Sequence, residues 1–239
     1  MNISTRAPLT LLALGCLCIT TGEQACAEDV TAHVADVPAA RYYAMIFGSE
    51  SVPKRAKYTH TWATLVKATT DPADPETQQF EVQTISWLPR NGNVRVLALR
   101  AECGKNFSLD ATLRDCFSKC ECVVMWGPYE IDPARAVDVY GRFCAQVARL
   151  NSGCMLYKAI DPDHGPRSTY ICDCIHAVTD LDRHLARPFY NEFRNVGLDA
   201  GRQVVQILAS RDRINLDVTH EWVAQALKLD PRVNRGTIR

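Results

Sequence analysis

The sequence predicts an α+β domain, in which an antiparallel sheet is packed against helices. Three observations point there. Runs of β-branched and aromatic residues crowd the first hundred positions, turn signals separate them, and helical spacing takes over after about residue 108. The chain has 239 residues, of which 47% are hydrophobic, so it can bury one core with or without an appendage.

Ahead of the fold, MNISTR supplies a short charged start, residues 7–21 form an apolar run, and Ala25, Cys26 and Ala27 offer an AxA cleavage site. These features predict a signal peptide over 1–27 and a periplasmic or secreted mature protein. Lipidation at Cys16 is the alternative, opposed by the apolar Leu17 and Ile19 beyond it. The apolar run is shorter than the ~20 residues that cross a bilayer, and no later segment approaches that length. No transmembrane segment is therefore expected.

RYYAMIFGSE reads as the first strand and YTHTWATLVKA as the second, closed by the Pro-containing TTDPADPETQ. FEVQTISWLP alternates and stops at Pro89, and NVRVLALRA alternates again after Asn91, Gly92 and Asn93. The leucines of SLDATLRDCF open the helical part. In IDPARAVDVYGRFCAQVARL, Asp132 stands as a cap, Pro133 takes the first helical position, and Ala136, Val137, Tyr140, Phe143, Val147 and Leu150 recur at helical spacing. CMLYKAI reads as a strand. Two further helices are expected at about 198–209 and, capped by Thr219, at about 220–229. The expected organisation is a signal peptide over 1–27, an α+β domain over 28–186 and a helical extension over 187–239.

Charge excludes some partners. Lys and Arg number 27 and so do Asp and Glu, so no overall field draws nucleic acid or an anionic membrane, and function must be local. Neither a clustered basic face nor a row of stacking aromatics appears, so no nucleic-acid partner is expected. Nothing in the pattern sets an oligomeric state.

Export would place the cysteines in an oxidising compartment, where pairing is the default. Removing Cys16, Cys18 and Cys26 from the eleven leaves eight, an even number: Cys103, Cys116, Cys120, Cys122, Cys144, Cys154, Cys172 and Cys174. DCFSKCEC with Cys103 upstream lacks the two CxxC knuckles of a zinc site, so no metal or other cofactor is expected.

One stretch carries chemistry. In TYICDCIHAVTDLDRHL, Ile175, Val178, Leu181 and Leu185 fall three or four apart and Asp173 stands where an N-cap belongs, so Cys174 opens a helix. A thiol there meets the positive end of the helix dipole and unpaired amides, which favour thiolate and can hold an oxyanion. The same cysteine also suits a disulfide, or a redox pair with Cys172. A nucleophile needs a base. His33, His164, His184 and His220 lie in the leader, a loop, late in the helix and in the tail, and His176 is two residues along Cys174's own helix. That leaves His60, at the start of the second strand.

The pair THTWATLVK and DCIHAV resembles the circularly permuted branch of the NlpC-type papain-like fold, to which lecithin retinol acyltransferase and its relatives belong. There a strand reading HWA carries the histidine, and a later NCEHF segment carries the nucleophile at a helix start. Asp173 and Ile175 depart from that pattern, which has asparagine and glutamate in their places. The WLP and WGPYEI segments also resemble stretches of exported bacterial proteins, a likeness that implies no activity.

The resemblance implies a permuted papain-like core and a thiol hydrolase or acyltransferase that acts on amide or ester bonds. Cys174 would form an acyl-enzyme and His60 would be the base. It also implies a third polar group on the strand after His60, for which Gln83 is chosen over Glu81 on its own face and over Thr84 and Ser86 on the other. Tyr129, in MWGPYEIDP, is a candidate substrate contact. Peptide, peptidoglycan-fragment and acyl-lipid substrates all suit such an enzyme. The competing readings are a disulfide-stapled binding domain on the same scaffold and a thiol redox protein.

Overall fold

Two long strands organise the molecule because both of their faces are buried. The computed structural model describes residues 40–70, 77–159, 171–179 and 196–238. The predicted signal peptide, its cleavage site and the boundary at 186/187 lie outside these. Strand β1 (Ala40–Glu50) and strand β2 (Thr59–Thr70) pair antiparallel from Ala40↔Thr69 to Glu50↔Thr59, with no break in register. Tyr43 to Ser49 are buried without interruption, as are Thr59 to Val66. A strand covered on both sides reads as a continuous apolar run rather than an alternation, and RYYAMIFGSE is such a run.

Strand β3 (Gln78–Ile85) pairs with β2 at the edge of the main sheet, and short β4 (Trp87–Pro89) follows it. Strand β5 (Glu102–Asn106), helix α1 (Leu109–Ser118), strand β6 (Cys122–Ile131) and helix α2 (Pro133–Asn151) come next. Then come the two-residue strands β7 (Leu156–Tyr157) and β8 (Ile171–Cys172), and helix α3 (Cys174–Thr179). The chain continues with helix α4 (Leu198–Ser210), strand β9 (Ile214–Thr219), helix α5 (Glu221–Ala226) and strand β10 (Asn234–Arg235). The main sheet has the order β10-β6-β1-β2-β3, with β9 also on β6. A smaller sheet has the order β4-β5-β7-β8. The fold is α+β, with most strand pairs antiparallel.

Helices cover the main sheet on both sides. On one face Tyr43, Met45, Phe47, Trp62, Val66, Val123 and Met125 meet Leu113 and Cys116 of α1 and Val223 and Ala224 of α5. Phe47 and Trp62 stack there with ring centroids 5.1 Å apart. On the other face Ala44, Ile46, Ala63, Leu65 and Trp126 meet Tyr140 and Phe143 of α2, Val178 of α3, and Val204 and Val205 of α4.

Several helix signals act as the sequence predicts. The Asp132 side chain accepts from the Ala134 amide with Pro133 at the helix start; Ser108, for which no role was expected, caps α1 by accepting from Ala111. Other expectations need correction. NVRVLALRA forms no strand, since its backbone pairs with no other strand and Leu97 and Leu99 are exposed. Of CMLYKAI, only two residues pair. Thr219 ends β9 rather than capping a helix, and His220 stands at the cap of α5. The segment from residue 196 is no appended extension: α4 packs on the sheet, and β9 and β10 each pair with β6. The eight described cysteines are not joined to one another by disulfides.

The small sheet carries the chain towards α3. Trp87 donates its indole N–H to the Cys172 carbonyl at 3.2 Å and packs against Gly104, where an added β-carbon would fall 2.0 Å from the indole Cζ2. Gly104→Ala should therefore destabilise the protein by about 1–3 kcal/mol, as overpacking does. Urea unfolding would measure it, and an unchanged midpoint would show that the indole has room to move.

Candidate functional site

Asp173 organises the start of α3. It is 5% exposed, accepts the His176 amide through Oδ1 at 2.8 Å, and pairs with His176 Nδ1 through Oδ2 at 2.7 Å. One buried carboxylate thus caps the helix and fixes an imidazole. Cys174 follows it and is also buried, in a small cluster with Ile175 and with Ala200 of α4. The amides of Thr61, Cys174 and Ile175 donate to its sulfur, yet burial and the neighbouring Asp173 charge outweigh them and push the thiol up to about 12. The thiolate expected from the helix-start position is therefore not favoured. Tyr157 shares this interior: burial first, then Cys174, Asp173 and Cys172, hold its phenol far above the usual range.

His60 does not join this group. Because the β1–β2 register is unbroken, alternate residues of β2 face opposite ways. His60 lies with Trp62, stacked at 5.1 Å, on the face covered by α1 and α5. Thr61 faces the other way, and its hydroxyl donates to the Gly197 carbonyl at the start of α4, at 3.1 Å. Gly197 has φ 64°, and a β-carbon on it would sit 2.6 Å from the Ser49 carbonyl, so only glycine allows this approach. The residue of β2 whose amide reaches Cys174 is thus Thr61. The expectation for His60 rests on a pattern with histidine immediately ahead of Trp-Ala; here Thr61 precedes Trp62 and Ala63, and the His60 imidazole faces the α1 and α5 side of the sheet.

The partner of His60 is Ser86 rather than Gln83. His60 Nε2 lies 2.9 Å from Ser86 Oγ, which is 2.7 Å from Thr112 Oγ1 of α1. Thr112 donates that hydroxyl to Ser86, and Thr112 Oγ1 also lies 2.9 Å from the Ser108 carbonyl, which already accepts the Thr112 amide. His60 Nδ1 is buried with no hydrogen-bond partner. Burial, with a smaller contribution from Lys119, lowers the imidazole to about 3, so His60 is neutral and weakly basic. Ser49, directly across from His60, donates to Glu121 at 2.6 Å and accepts from the Cys116 thiol at 3.5 Å.

Gln83 is half-buried opposite Leu65, on the face away from His60. Tyr129 is a core residue of β6, 5% exposed, and its phenol is raised by burial. Sequence reasoning did not identify Thr61, passed over Ser86 in favour of Gln83, and did not identify Tyr157. Strand parity, counted from the Trp-Ala pair, was the available signal for the first two. Among the described residues no group of His, Cys, Asp and Glu is gathered to hold a metal ion. No described helix is long and apolar enough to cross a membrane.

At the far end of α3 a narrow cleft of about 70 Å³ opens between α2, α4 and the main sheet. Its walls include Ile46, Leu65, Phe143, Val178, Val204 and Leu208, and Asp138, Arg142 and Arg213 supply its polar groups. Comparison with protein-family models, curated proteins and solved structures returned no match.

The neutral His60 gives a pH test with a definite sign. Its folded pKa lies below the ordinary 6.5, so between pH 6.5 and 3 the unfolded chain binds the extra proton and stability falls as pH falls. The loss amounts to something on the order of 4 kcal/mol across that window. The burial-raised Glu121 works the opposite way, so the informative quantity is the difference between proteins. His60→Gln should lose less stability than wild type on going from pH 6.5 to 4 in urea unfolding. Parallel curves would show that His60 titrates normally.

Proposed function

We propose that this chain is a non-catalytic binding domain on a scaffold that resembles the permuted papain-like enzymes, and that it takes a slender apolar ligand. The observation that carries this reading is that His60 stacks with Trp62 on the face covered by α1 and α5, whereas Cys174 clusters with Ala200 of α4, a helix that packs on the other face. The protonation state supports it as well: a thiol raised to about 12 leaves roughly one molecule in 10⁵ as thiolate at pH 7. Of the peptide, peptidoglycan and acyl-lipid classes, the cleft favours the last. Aliphatic walls suit a methylene chain, and a few polar groups suffice to orient its head. So narrow a space admits an unbranched chain more readily than a ring.

A second reading rests on the buried Asp173–His176 pair. With Asp173 holding Nδ1, His176 would serve as an oriented base and Cys174 as the nucleophile of a hydrolase or acyltransferase.

Site-resolved alkylation separates the two readings. Under the binding reading, iodoacetamide at pH 7 should label Cys174 at least about 100-fold more slowly than a cysteine in an unfolded peptide. His60→Ala should not change that rate, and intact-mass analysis with activated ester probes should show no adduct at Cys174. Fast labelling that His176→Ala abolishes would replace the binding reading with the hydrolase. Independently, Val139→Phe, which fills the cleft from α2, should weaken binding of a fluorescent medium-chain fatty acid at least tenfold. Undiminished binding would remove the cleft as the site.

A further inference from the structure

The loop between β4 and β5, residues 90–101, displays its apolar side chains outward. Leu99 is 94% exposed and Leu97 is 81% exposed, while Val94, Val96 and Ala98 are half-buried. The display is built in. Arg90 N–H donates to the Cys103 carbonyl at 2.9 Å, Gly92 N–H to Pro89 at 2.8 Å and Ala98 N–H to Arg95 at 3.1 Å. The Lys119 ammonium holds the Gly92 carbonyl at 2.8 Å. Inward valines and these bonds leave the two leucines no route to the core.

Around them stand Arg90, Arg95 and Arg100, all exposed, and the loop contains no acidic residue. Lys105 is exposed on β5, and half-buried Glu102 is the nearest acidic residue along the chain. A chain with balanced charge thus concentrates three positive charges where it also exposes leucine.

We propose that this loop docks on the surface of an anionic lipid bilayer. Leu97 and Leu99 enter the boundary between head groups and acyl chains, and the three arginines bind lipid phosphates. Two apolar anchors flanked by cations match the two layers that such a surface presents, hydrocarbon below and negative charge above. The charge argues against the other occupants. A symmetric contact between two copies would set three arginines against three. A nucleic acid would leave the leucines in water, and the loop offers no aromatic ring on which a base could stack. The loop adjoins the small sheet, whose far strand β8 leads to Asp173 and Cys174. The docking proposal nevertheless stands without any ligand in the cleft.

The test uses the full chain and sedimentation with vesicles of phosphatidylcholine, either alone or with about one-third phosphatidylglycerol. Binding to the anionic vesicles is expected, with at least tenfold weaker binding to the neutral ones. Leu97→Ser/Leu99→Ser should reduce anionic-vesicle binding at least tenfold without changing the thermal midpoint, since both side chains are already solvated. Arg95→Gln/Arg100→Gln should also weaken it and flatten its dependence on salt between about 0.1 and 0.5 M. Undiminished binding by the leucine variant, or equal binding to both vesicle types, would overturn the proposal. So would the absence of vesicle binding together with a concentration-dependent dimer, seen by analytical ultracentrifugation, that the leucine variant loses; the loop would then be a contact between copies.

Discussion

The pairing of β1 with β2 is the constraint on which the rest depends. Eleven residues of β1 find partners on β2 without a bulge, and helices cover both faces, so every side chain along the pair has a single allowed side. Trp62 and Phe47 can stack only under α1 and α5, and Ala63 and Leu65 can pack only under α2, α3 and α4. The same rule governs the chemistry. His60 takes the Trp62 side and becomes a core group bonded to Ser86, while Thr61 takes the other side and bonds Gly197 at the start of α4.

The two buried clusters on either side of β2 are electrostatically quiet in different ways. Near α3, Asp173 is engaged by an amide and an imidazole, and burial, with the Asp173 charge second, keeps the Cys174 thiol protonated. Near α1, hydroxyl groups connect His60 through Ser86 and Thr112 to a helix carbonyl, while Glu121 finds Ser49. Both arrangements pair most of their buried polar atoms, with His60 Nδ1 and the neighbouring Trp62 Nε1 as exceptions. Such clusters specify how layers stack, because a displaced partner leaves an unpaired polar group behind.

What was legible in the sequence follows from how local each signal is. Asp132 with Pro133, Ser108 and Asp173 mark helix starts within a few residues of themselves, and each acts as its chemistry dictates. The α+β class and the apolar faces of α2 and α4 were likewise readable. NVRVLALRA misled because alternation marks a strand only if some edge is free to pair with it, and that is a property of the whole sheet. Strand β9 was missed for the converse reason: INLDVT is short and mostly exposed, and it becomes a strand only because β6 offers it an edge. The site was half legible. Cysteine at a helix start could be read from DCIHAV, but the side of the sheet that His60 faces depends on a register that only the tertiary pairing fixes.

Strand β6 carries a different partner along each half of its outer edge, β10 at Val124 and Met125, and β9 at Tyr129 and Ile131. Both partners are made last, some eighty to a hundred residues after β6 itself. During synthesis β1, β2 and β6 can therefore assemble into a sheet whose outer edge is bare, and it stays bare until residues 214–235 have left the ribosome. A nascent chain in that state exposes backbone donors and acceptors to any neighbouring strand, including those of other copies on the same message. A pause in translation after residue 151 would prolong that exposure, so the pace of synthesis over the last third of the chain governs how safely it folds.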